Sequence, residues 1–173
     1  MTAVAGSIFT AAQFNTYIRD NLNETSPAKA TTSGQLFVAT GANSIAARSF
    51  SNQRIDTTET TTSTSYVDLA TRGPAVTVTT GSAAIVWINA TLDNGTVDGS
   101  ASASFAISGA TTQGADNSRR IARDGASATN PCRYGACSKE TLTPGSNTFT
   151  MKYVSQSATT ASFSFREIVV LPL

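Results

Sequence analysis

Residues 148–171 read TFTMKYVSQSATTASFSFREIVVL. Phe149, Met151 and Tyr153 alternate with Thr148, Thr150 and Lys152, and Ala161, Phe163 and Phe165 alternate with Ser162, Ser164 and Arg166. A period of two puts each set on one face of an extended strand, so these runs predict half-buried strands, followed by another at 168–171. Upstream, Ala83-Ala84-Ile85-Val86-Trp87-Ile88 is apolar on both faces, which predicts a central strand with Trp87 in the core. Further strands are expected at about 66–69, 75–79, 84–92 and 101–108. Turn chemistry separates them at Gly73-Pro74, Gly81-Ser82, Asp93-Asn94-Gly95 and Pro144-Gly145. Seven or eight strands from residue 54 to 173 predict a mainly β protein with a jelly-roll-like antiparallel β-sandwich. The stretch from Gly109 to Glu140 breaks the pattern and reads as a pair of long loops or a ragged hairpin at one end of the sandwich.

Composition agrees with this reading. Of 173 residues, 40% are hydrophobic and only 13% charged, so neutral polar side chains must cover most of the surface. Ser and Thr do so at about 49 positions, and Thr is β-branched and suits a pleated surface. Twelve basic residues against eleven acidic ones leave a formal charge of +1, without the positive excess that phosphate binding needs, so nucleic acid is not expected as a partner. There is no histidine, which excludes imidazole acid/base catalysis, Ser-His and Cys-His nucleophile pairs and histidine-bearing metal sites. No apolar run approaches about 18 residues, and MTAVAGSIFTAA lacks the charged start and long apolar stretch of a signal peptide. Synthesis in the cytoplasm without membrane insertion is therefore expected.

The first 53 residues have a different texture. A helix is predicted over about 10–24. Thr10 and Gln13 have the spacing of a capping box, and Phe9 and Phe14 that of a hydrophobic staple. Phe14, Tyr17, Ile18 and Leu22 form one apolar stripe at spacings of three and four. Leu36, Phe37 and Val38 predict a short strand, Gly41-Ala42-Asn43 a turn, and Ile45 a second extended piece within about 35–48. So few apolar side chains do not make an independent core. Residues 1–53 thus read as an arm that docks on a sister subunit or another protein; the alternative is that its stripe packs on the β-domain of its own chain.

Few residues are marked for chemistry. Cys132 and Cys137 enclose Arg133-Tyr134-Gly135-Ala136; they either close a small disulfide ring or remain two reduced thiols. Without histidine, two cysteines do not complete a zinc site. Arg119, Arg120, Arg123, Arg133 and Lys139 gather in the long-loop region, offset by Asp116, Asp124 and Glu140. That cluster reads either as a patch for an acidic glycan or a neighbouring subunit, with Arg119, Arg123 and Tyr134 as its ligand loop, or as a solvated loop with local ion pairs. Nothing marks a pair of carboxylates for glycoside hydrolysis, and the phosphate-cradling and nucleophile-elbow motifs are absent. No enzyme activity, metal or cofactor is expected.

Three stretches carry a family resemblance: FTAAQFNTYIRDNLNETSPAKATTSGQLFVATGANSIAAR (9–48), TSTSYVDLATRGPAVTVTTGSAAIVWINATLDN (62–94) and TLTPGSNTFTMKYVSQSATTASFSFREIVVLPL (141–173). The first resembles the N-terminal segment of structural proteins of tailed bacteriophages, especially those of actinobacterial hosts. The other two resemble the β-rich domain that follows it in head-fibre, capsid-decoration and minor-tail proteins. The region of Cys132 to Cys137 lies outside the resemblance. It implies a non-enzymatic virion component made in the host bacterial cytoplasm, commonly a homotrimer, with residues 1–53 facing the particle and residues 54–173 displayed outward. The expected partners are further copies of the chain and the major capsid protein or another virion protein. Phe9, Phe14, Tyr17, Ile18, Leu22, Leu36, Phe37, Val38 and Ile45 would form the anchoring or oligomer interface. The alternative is a receptor-binding minor tail fibre that recognises a host-surface glycan.

Overall fold

The computed structural model describes residues 8, 10–23, 25–124 and 130–173. The chain divides into two compact units, Met1–Ser49 and Phe50–Leu173.

In the first unit a continuous helical run is built from Ala11–Phe14, a π-helical turn Asn15–Arg19 and Asp20–Asn23. The Thr10 hydroxyl accepts the Gln13 N–H at 3.2 Å and the Gln13 side chain accepts the Thr10 N–H at 3.0 Å, so two otherwise orphaned donors satisfy one another's residues. Phe9, the other half of the expected staple, lies outside the described residues. Strands β1 (Leu36–Gly41) and β2 (Ser44–Arg48) form a hairpin whose turn uses Asn43 at φ 54°, a left-handed conformation that Asn tolerates.

The second unit contains β3 (Ser51–Ile55), β4 (Glu59–Thr61), β5 (Ala75–Thr80), β6 (Ala83–Asn94), β7 (Ser100–Gly109), β8 (Ile121–Asp124), β9 (Cys132–Thr141), β10 (Gly145–Val154) and β11 (Ala161–Pro172). One sheet has the order β5-β10-β7-β8 and the other β3-β11-β6-β9, with β4 added beside β11. All the pairings are antiparallel. Apart from the consecutive pairs β3–β4 and β7–β8, the chain crosses from one facing sheet to the other at each step, the mainly β, jelly-roll-like sandwich expected. Inward residues of β6 and β11, such as Val86, Ile88, Leu92, Phe163 and Ile168, meet Phe105, Ile107, Phe149, Met151 and Tyr153 of the opposite sheet. The Tyr153 and Phe163 rings pack 4.9 Å apart between centroids, and Phe105 and Phe149 6.3 Å. Burial of each such large side chain contributes about 1.5–3 kcal/mol.

Several expectations are corrected. Residues 51–53, read as part of the arm, belong to β3, because Asn52 and Gln53 pair with Val169 and Ile168. The stretch from Gly109 to Glu140 is not mainly loop: it holds a 3₁₀ turn at Asn117–Arg119, the short β8 and the ten-residue β9. Instead of a strand at 66–69 there is a single bridge between Val67 and Tyr153. Trp87 is not in the core; it lies on the outer face of β6, half-buried, with its ring 5.7 Å from that of Phe50. The two runs at 161–166 and 168–171 are one strand, β11, interrupted by a bulge. Ser164 pairs with Thr91 and Glu167 with Asn89, leaving Phe165 and Arg166 opposite one residue of β6. The extra residue reverses the alternation, so Phe165 turns outward at 43% exposure and Arg166 turns inward at 0%.

Candidate functional site

Two regions carry the residues singled out in the sequence. In the N-terminal unit none of the described residues is buried. Phe14, Tyr17, Ile18 and Leu22 keep between 39% and 61% of their surface exposed, as do Leu36 and Phe37 on β1. Val38 and Ile45 are half-buried within the hairpin. Its described elements are a two-stranded hairpin, the helical run and a further helical turn, Ser26–Lys29, and a two-stranded hairpin by itself is at best marginally stable in water. Charge on the helix is satisfied locally, with Arg19 bonded to Asp20 at 2.8 Å.

The residues expected to form a ligand loop do not converge. Arg119 is buried under the loop Gln113–Ser118. There it donates to Gln113 Oε1, Gly114 O and Asp116 Oδ2, and sits 3.4 Å from Glu140 of β9. Its guanidinium also lies 4.8 Å from the centre of the Phe105 ring. With its donors committed inward, Arg119 organises the loop and offers little to a ligand. Asp116 is held below the usual carboxylate range, chiefly because it accepts from the Ser118 hydroxyl at 2.5 Å, with the Ser118 backbone N–H at 2.8 Å adding to it. A shallow hollow of about 600 Å³ opens here, lined by Gln113, Asp116, Ser118, Ser138, Lys139 and Glu140 among others.

Arg123 is at the other end of β9. It is buried and paired with Asp93 at 3.3 Å. Tyr134 packs partly against the core, and burial raises its hydroxyl pKa. Glu140 and Tyr134 are six residues apart on one extended strand, so Arg119 and Tyr134 are separated by roughly 20 Å. Of the two alternatives for the cysteines, the structure has the reduced one. Cys132 and Cys137 are free thiols on β9, an odd number of residues apart and therefore on opposite faces. Five extended residues span roughly 16 Å, against the at most about 7 Å between Cα atoms that a disulfide bridges.

Sequence reasoning missed the Arg166 cluster. Arg166 reaches Glu59 Oε2 at 3.4 Å, the Thr71 carbonyl at 3.5 Å and the Thr57 hydroxyl at 3.3 Å, and lies over the Tyr153 ring. Glu59 also accepts the Thr71 N–H at 3.0 Å. Burial pushes the Glu59 carboxyl up, but the bonds from Thr71 and the Arg166 charge outweigh it and hold its pKa below the ordinary value. The cluster ties the segment between β3 and β5 to the bulge of β11, a structural task. The only advance signal was an arginine at an alternation phase shared with core residues. Among the described residues, no group of three or more acidic or thiol side chains gathers to hold a metal.

Comparison with known proteins gives no family assignment: no protein-family model and no curated protein matches the chain. Among solved structures the chain is similar to Eiger TNF from S. frugiperda, with 10% identity and a TM-score of 0.39 over 69% of this chain and 94% of that one. It is also similar to a structure of infectious bursal disease virus Gx strain, with 11% identity and a TM-score of 0.43 over 78% of this chain. The aligned region spans 35% of that viral chain. At this distance neither likeness bears on function.

Proposed function

We propose that the protein is a non-enzymatic virion surface component of a tailed bacteriophage, a capsid decoration or head-fibre protein. It attaches through its N-terminal unit and displays the β-sandwich. The observation that carries this reading is the row of exposed apolar side chains, Phe14, Tyr17, Ile18, Leu22, Leu36 and Phe37, on a unit without a buried residue among those described. A neighbouring unit of a sandwich with its own closed core has no folding task that needs such a stripe, whereas a docking segment does. The sequence resemblance to phage structural proteins over 9–48, 62–94 and 141–173 supports the same assignment.

The helix stripe would lie against the major capsid protein, and the hairpin would pack against its copies around a three-fold axis, burying Leu36, Phe37, Val38 and Ile45. Many copies, each with a modest apolar contact, would reinforce a shell through avidity. The test is deletion of residues 1–25 followed by measurement of occupancy on capsids that lack the protein. Occupancy is expected to fall to background while the sandwich keeps its β-type circular dichroism; undiminished occupancy would refute the anchoring role.

A further inference from the structure

We propose that the outer face of the β3-β11-β6-β9 sheet carries a binding site for one neutral pyranose sugar, with the Phe165 ring beside it. Across this face the cross-strand pairs Thr91–Ser164 and Asp93–Ser162 lie next to one another. Together with Thr58 and Pro131 they line a trough of about 240 Å³, space for one sugar ring. Four of the lining residues carry a hydroxyl and one a carboxylate. Ser and Thr hydroxyls both donate and accept, and a carboxylate accepts strongly, the combination that vicinal sugar hydroxyls require.

Hydroxyl-lined hollows are common on so Ser- and Thr-rich a chain, so the second observation decides. Phe165 follows Ser164 and stands at the bulge with φ 48°, a left-handed conformation that glycine adopts freely and a bulky side chain does not. The core does not need this ring, which points outward and remains 43% exposed. Phe165 is not itself part of the lining but is exposed next to Ser164, which is, and an aromatic ring held in a strained position there can serve as a platform for the C–H face of a sugar. The Arg54 guanidinium lies over one face of the ring, 5.5 Å from its centre, so the sugar would use the other face.

Charge selects the ligand class. The cations near the trough are committed: Arg54 to Asp56, Arg133 to Glu167 at 3.4 Å, and Arg123 to Asp93 at 3.3 Å. An acidic glycan would find no available countercharge here, whereas a neutral sugar needs none. This site is separate from the Arg119 loop and requires nothing of the N-terminal unit, so it stands or falls independently of particle attachment.

The test uses the full-length chain and saturation-transfer NMR, with the methyl glycosides of glucose, galactose, mannose and N-acetylglucosamine as probes. Transfer to the ring C–H protons of at least one probe is expected. Phe165→Gly should abolish it while the melting temperature stays level or rises, since glycine fits the backbone. Phe165→Tyr should retain it, and Thr91→Val, which preserves shape and removes one hydroxyl, should weaken binding at least tenfold. Absence of transfer to all four probes, or transfer that persists in Phe165→Gly, would overturn the proposal. So would unchanged affinity in Thr91→Val.

Discussion

Arg166 illustrates how much one side chain can carry in a weakly charged protein. Its guanidinium is sealed from solvent, and its four partners stand at 3.3 to 3.5 Å, long for charge-assisted bonds. Such a cation adds little over an apolar residue, but its removal strands Glu59 beside an unfilled space. Arg166→Ala is therefore expected to destabilise the sandwich by about 3–5 kcal/mol in urea titration. The acid in the cluster makes a second prediction. Because the Glu59 pKa is lowered on folding, its contribution is present above the unfolded value, near 4.3, and is lost as pH falls through the folded value. Glu59→Gln should thus be less stable than the parent at neutral pH, with the gap closing as pH falls through the lowered folded value. A gap that is constant with pH would assign the stabilisation to shape. On β7, Ser102 and Ser104 are fully buried and their hydroxyls have no hydrogen-bond partner among the described residues. Ser102→Ala should consequently be neutral or stabilising by up to about 1 kcal/mol.

Strand β9 shows where sequence periodicity loses its force. Its inward positions are Cys132, Tyr134, Ala136, Ser138 and Glu140, and its outward ones Arg133, Gly135, Cys137, Lys139 and Thr141. The alternation is real, but only Tyr134 is large and apolar, so nothing distinguished this strand from a polar loop. By contrast, β10 places Phe149, Met151 and Tyr153 on one face and β6 opens with an unbroken apolar run, so both were legible as strands, although that run hid which face Trp87 takes. The bulge in β11 was invisible for the opposite reason, since Phe165 occupies the position where glycine would have announced it. At Gly135 a Cβ would run into the Asn89 side chain of β6. Gly135→Ala should need only a swing of the Asn89 amide and change stability by no more than about 0.5 kcal/mol, read as a nearly unchanged denaturant midpoint. The two thiols of β9 should both alkylate under native conditions, the exposed Cys137 before the half-buried Cys132. Mass spectrometry after mild oxidation should find no intrachain ring.

The two units differ in what holds them. Phe50–Leu173 has a continuous buried cluster drawn from both sheets, whereas the described part of Met1–Ser49 has none. Residues 50–173 expressed alone should melt cooperatively within a few degrees of the full chain, and residues 1–49 alone should show no cooperative transition. The helix stripe of the proposed attachment surface was readable in advance, because a single element carries it at spacings of three and four. The sugar trough was not, because it is assembled from β6, β11 and the residues just outside β4 and β9, which come together only in the folded sheet. The pairing of β3 and β4 with β11 has a further consequence. Residues 51–61 are among the first of the sandwich to leave the ribosome, yet their partners, 161–170, emerge about a hundred residues later, roughly 5–20 s of synthesis. Through that interval the nascent chain holds a sticky, unsatisfied border, and the sandwich closes only once β11 has emerged. Synonymous codon changes that slow the ribosome between these segments should therefore send more of the product into aggregates, without altering a single atom of the finished protein.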